Sequence, residues 1–147
     1  MRFIMIVKAS KDSEAGKMPP KELFEAMDKF NEEMAKAGVL LTAEGLHASS
    51  EGARIRFSGG KPTVIDGPFA ETKELIAGFW LIQVKSKEEA IEWAKRSPAP
   101  HGNQQDGEIE IRRVFEAAEF PPEVFSPEAA AREKALREEL SKRGAGQ

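Results

Sequence analysis

The sequence predicts an α+β domain on the ferredoxin-like βαββαβ plan, with an inserted β-hairpin and a separate C-terminal helix. Three observations predict it. Strand-like and helix-like patterns alternate along residues 1–115 in that order. A Gly59-Gly60 turn between two short alternating runs marks a hairpin in the middle. The strongest strand candidates, 2–8 and 77–85, are apolar on both faces and so call for cover on both sides.

Each element has its own reason. Residues 2–8 (RFIMIVK) place Phe3, Met5 and Val7 on one face and Ile4 and Ile6 on the other. Residues 9–20 read as a loop through Lys11, Asp12, Gly16 and Pro19-Pro20, with Pro20 suited to opening a helix. Leu23, Met27, Phe30 and Met34 then form one helical stripe, stopped by Gly38. Residues 39–47 return as a strand. Residues 54–57 and 63–66 pair as the hairpin, with Arg54 and Arg56 on a wet face. A polar loop over 66–74 leads into the strand 77–85. Ser86 and Glu89 read as a capping box for a helix whose buried stripe is Ile91 and Ala94. Ser97-Pro98 ends it, and 108–115 alternates as the last strand. Residues 116–147 read as a proline-containing linker followed by a helix over 127–142. The domain division is therefore 1–115 and 116–147. Two helices cannot cover both faces of one sheet, and a second copy of the chain is the cheapest cover, so a homodimer is expected.

Composition sets the outer bounds. The chain has 147 residues, 40% hydrophobic and 32% charged, as an ordinary soluble globular domain has. Its net charge is −3. Residues 1–115 carry 17 basic and 18 acidic side chains and the remainder 5 and 7, so neither part offers the basic face that direct nucleic-acid binding needs. Cysteine is absent, which excludes disulfides, thiolate nucleophiles and Cys-ligated zinc. No apolar run approaches the roughly 20 residues of a membrane span, and no signal segment is visible, so a cytoplasmic protein is expected.

The candidate chemistry is sparse. His47 and His101 are the two histidines, both in segments read as loops or strand ends. Imidazole titrates near neutrality and is the first choice for acid–base work; the alternative is a surface histidine without a role. Asp66 ends a strand before Gly67-Pro68. It is either a carboxylate orienting a histidine or a turn aspartate bonded to its own loop. Arg54 and Arg56 could clamp a carboxylate or phosphate, or simply form the solvated side of the hairpin. Glu71 and Lys73 follow within reach of a pocket mouth, in a charge run of the kind that is usually a solvated face. No metal is expected, because neither H-x-H nor H-E-x-x-H spacing occurs. No P-loop, G-x-G-x-x-G or G-x-S-x-G occurs either, and no cofactor is expected.

The run D-G-P-F-A-E-T-K-E (66–74) followed by G-F-W-L-I (78–82) resembles the DGPF-type branch of the YCII-related family. A-E-G-L (43–46), E-E-A-I-E-W-A (88–94) and S-P-A-P-H-G (97–102) leading into E-I-E-I-R (108–112) agree with it. The resemblance covers about residues 1–115 and implies a dimeric α+β barrel, in which the sheets of two protomers pack together. It also implies a functional Asp, which maps onto Asp66, and a His in a cleft. Compact relatives carry that His in the first helix region. Residues 20–37 contain none here, and His101 is the substitute this chain offers. Fusion of some relatives to sigma-factor regions implies a second role, as an accessory module contacting a protein partner in transcription. The two readings are thus a small-molecule-binding protein or enzyme with an Asp/His acid–base pocket, and that accessory module. A dimeric scaffold without activity is the third.

Overall fold

The computed structural model describes residues 1–145. Its elements run β1 (Arg2–Lys8), α1 (Lys11–Glu14), α2 (Lys21–Lys36), β2 (Leu40–Gly45), β3 (Ala53–Ser58), β4 (Lys61–Asp66), β5 (Ile76–Gln83), α3 (Lys87–Lys95), β6 (Ile109–Arg113) and α4 (Pro127–Ala145). Short 3-10 turns lie at Ser49–Glu51, Thr72–Glu74 and Ala117–Glu119. One antiparallel sheet has the order β2-β5-β1-β6, and β3-β4 form a separate hairpin. With the hairpin set aside this is the βαββαβ plan expected from the sequence. The chain divides into two compact units, Met1–Val114 and the segment from Phe115 onward.

The alternation in β1 and β5 sorts their side chains by face. Phe3, Met5, Val7, Trp80, Ile82 and Val84 are buried with Phe30 and Met34 of α2 and Ala90 and Trp93 of α3. Burying each of the larger ones is worth about 1.5–3 kcal/mol. Phe30 meets Trp80 edge-on at 5.5 Å, and the Trp80 indole N–H donates to Asn31 Oδ1 at 2.7 Å. The opposite face carries Ile4, Ile6, Phe79 and Leu81, which are only half-buried. Their pairing, Ile4 with Leu81 and Ile6 with Phe79, makes one apolar patch across the two central strands.

Three local expectations change. Residues 11–14 form a helix rather than a loop, because Ser10 and Ser13 cap each other: Ser13 N–H donates to Ser10 Oγ and Ser10 N–H to Ser13 Oγ. Ser86 does cap α3 by accepting from the Glu89 N–H, but Glu89 reaches back to the Lys85 N–H instead of that of Ser86. The buried stripe of α3 is Ala90 and Trp93, with Ile91 and Ala94 half-buried beside it. The large indole commands the core position, and the smaller side chains are rotated to its flank. Gly38 closes α2 at φ +76°, and Gly59 and Gly60 turn the hairpin at +59° and +77°, all left-handed conformations that glycine adopts without strain.

The core cluster and its flanking side chains lie within residues 3–111. A chain truncated after Phe120 is therefore expected to keep its sheet and its cooperative unfolding. Circular dichroism and a thermal melt would check this; a non-cooperative melt would show that the later segment completes the core. Among the described residues no helix is long and apolar enough to cross a membrane.

Candidate functional site

Antiparallel pairing brings the C-terminal ends of β1 and β2 and the N-terminal ends of β5 and β6 to one edge of the sheet. The loops that leave this edge carry most of the chain's candidate chemistry, as loops on a rigid scaffold commonly do. A cleft of about 370 Å³ opens there. Its polar lining comprises Glu14, His47, Ser49, Glu51 and Arg54, and its apolar lining includes Leu46, Phe69, Leu75 and Ile76.

Ser49 organises this cleft. Its backbone N–H donates to Glu14 Oε2 at 2.9 Å and its hydroxyl to Glu14 Oε1 at 2.5 Å. The same hydroxyl accepts from the Phe69 N–H at 3.0 Å. One serine thus ties α1 to the loop that follows β4. Gly67 makes the approach possible, since a Cβ there would stand 1.8 Å from the Ser49 carbonyl oxygen. The Gly67 N–H in turn donates to the Gly52 carbonyl at 3.0 Å. Phe69 then serves as a platform: the Arg54 guanidinium carbon lies 3.9 Å over its ring. His47 Nδ1 is 3.7 Å from Glu51 Oε2, both exposed.

His101 does not line this cleft. Its Nε2 lies 2.7 Å from the Lys8 carbonyl oxygen at the end of β1. A carbonyl only accepts, so Nε2 carries the hydrogen. Asp12 of α1 is among the groups that feel the His101 charge. Asp12 accepts from the Gln105 amide at 2.8 Å and lies 3.4 Å from the Lys17 ammonium. The Gln105 hydrogen bond first and the Lys17 charge second hold its carboxyl below the ordinary value of 3.8, with His101 contributing least.

Asp66 is exposed at the end of β4, opposite Ala53. Among the described residues its carboxylate has no hydrogen-bond or ion-pair partner, neither an imidazole nor an amide of its own loop. Arg56 stands opposite Thr63 on the hairpin, and Glu71 and Lys73 are exposed around the Thr72–Glu74 turn; none of the three lines the cleft. Sequence reasoning thus reached His47 and Arg54 of the cleft and missed Glu14 and Ser49. Nothing local marks those two, because their bond spans 35 positions of chain. No group of three or more His, Asp or Glu side chains among the described residues is placed to hold a metal ion.

Residues 1–118 match the model of the YCII-related domain. The chain belongs to the YCII-related family. Over 88 residues it is 36% identical to an uncharacterised protein of Rhizobium meliloti (strain 1021), covering 58% of this chain and 69% of that one. The YCII-related match takes in every element that builds the cleft, from α1 to β5, and stops before α4.

The Asp12 network has a pH signature of definite sign. A carboxyl whose folded pKa is depressed stabilises the fold above its unfolded value, and that stability is lost as pH falls through the folded pKa. An Asp12→Asn variant is expected to melt below the parent at neutral pH and to converge with it below pH ~3.8, the ordinary carboxyl value. Parallel melts from neutral to acidic pH check this. A gap that persists unchanged into strong acid would show that charge at Asp12 plays no part.

Proposed function

We propose that this protein binds a small molecule in the cleft at the sheet edge and supplies acid–base groups to it. The observation that carries the reading is the cleft itself, where Arg54, His47 and Glu14 meet an apolar wall of Leu46, Phe69, Leu75 and Ile76. Apolar concavity with a few convergent polar groups is what small-molecule sites share. His47 with Glu51 is the imidazole–carboxylate pair in the lining of this cleft, and His101, outside that lining, is the second acid–base candidate at the same end of the sheet. Asp66 enters on the family resemblance, with a carboxylate open to a ligand. The D-G-P-F run at 66–69 supports a place for the chain in the DGPF-type branch. A fragment screen by amide chemical shifts tests the reading: bound fragments should move Ser49, Gly52, Phe69 and Leu75 together. Binding that maps elsewhere, or nowhere, would refute it.

The same reading makes the protein a homodimer of the α+β-barrel kind. Its support is the half-buried patch of Ile4, Ile6, Phe79 and Leu81 on the face that α2 and α3 leave uncovered. An obligate interface there should bury more than roughly 2,000 Å². Sedimentation equilibrium at micromolar concentration should give twice the chain mass; a 16.2 kDa species would refute the dimer.

A further inference from the structure

We infer that the cleft selects a monocarboxylate with an apolar body, an assignment that rests on reading the cleft as a ligand site. The Arg54 guanidinium carbon lies 3.9 Å over the Phe69 ring, and the donors of the group lie along its planar N–H edge. Among the described residues no carboxylate or carbonyl of the protein meets that edge. The hairpin register fixes where it stands, since Arg54 pairs with Ile65 across the ladder. A planar fork of donors that stacks on Phe69 and is unpartnered among the described residues matches the two oxygens of a carboxylate.

Charge separates a carboxylate from a phosphate. The cleft holds one guanidinium, while Glu14 and Glu51 bring two carboxylates to its wall. Both oxygens of Glu14 are engaged by Ser49, so this carboxylate does not compete for Arg54. A phosphate monoester carries nearly two charges at neutral pH and would face repulsion that one arginine does not offset. A carboxylate brings a single charge and meets correspondingly less repulsion from Glu14 and Glu51 for the same fork of donors on Arg54. Leu46, Phe69, Leu75 and Ile76 make the rest of the wall largely hydrocarbon, and the volume of about 370 Å³ is within the range of small-molecule sites.

The test is an amide-shift titration of the full chain with hexanoate and phenylacetate, their neutral amides hexanamide and phenylacetamide, and phenyl phosphate. The acids should move Ser49, Gly52 and Phe69, and the amides should bind about tenfold or more weakly, the size of one charge-assisted hydrogen bond. Arg54→Gln should weaken the acids by a similar factor, whereas Lys61→Gln, an equal loss of charge at the hairpin tip, should leave them unchanged. Amides binding as tightly as acids, phenyl phosphate binding more tightly than phenylacetate, or an Arg54→Gln variant without effect would each overturn the carboxylate assignment while leaving the cleft a ligand site. No shift with any acid would also overturn it. Neutral fragments added to the same sample then decide the broader reading, which stands if they move the cleft amides and falls if they do not.

Discussion

Gly67→Ala is expected to destabilise the fold by about 3 kcal/mol, at the upper end of what overpacking costs. The added methyl would sit 1.8 Å from the Ser49 carbonyl oxygen and 2.7 Å from its carbon, so the collision is with backbone and no rotamer change relieves it. The chain must separate the 49–52 turn from the loop after β4. That separation strains the Gly67–Gly52 bond and the Ser49 bonds to Phe69 and Glu14. Chemical denaturation measures the loss. A second readout follows from the site: Phe69 moves, and with it the seat of Arg54. An alanine variant as stable as the parent would mean that the two segments do not approach as described. The glycine of the D-G-P-F run is thus explained by close backbone approach. Its phenylalanine is explained by the platform it gives to an arginine.

Trp80→Ala should cost about 4 kcal/mol, within the range for removing a buried aromatic side chain. Trp80 is 5% exposed at the centre of β5, edge-on to Phe30, and close to Trp93 through that ring. Truncation leaves a large void, since the strand above and the helix below are each held by other contacts and cannot close on it. It also leaves Asn31 Oδ1 without its donor. Trp80→Phe should recover most of the loss, because it restores the ring and forfeits only the hydrogen bond, worth about 1 kcal/mol. Equilibrium unfolding of the two variants separates packing from polarity. Equal losses for Ala and Phe would place the whole effect on the Asn31 bond.

The order of the elements along the chain is legible because alternation and helical stripes are local signals. Phe3, Met5 and Val7 announce a buried strand face within seven residues, and Leu23 to Met34 a helix within twelve. The glycine turns were legible for the same reason, since left-handed backbone has a residue preference of its own. Less local features were misplaced. The helical period alone points the α3 stripe to Ile91 and Ala94, yet the core takes Trp93 and Ala90. The Ser10–Ser13 cap leaves little mark in the sequence, because serine at the third position is a weaker sign than glutamate.

By itself, then, the sequence determined the class of the fold, the order of its elements, the family, and two of the cleft residues, His47 and Arg54. These rest on periodicity and on a contiguous motif, both of which can be read along the chain. Only the tertiary structure decided which side chains share a site. Glu14 and Ser49 meet across 35 positions, His101 and Lys8 across 93. Among the described residues no hydrogen bond or ion pair joins Asp66 to either histidine. The physical reason is that a hydrogen bond of about 3 Å is set by how loops leave a folded sheet, and pairing across the sheet carries no trace in the spacing of the residues it joins.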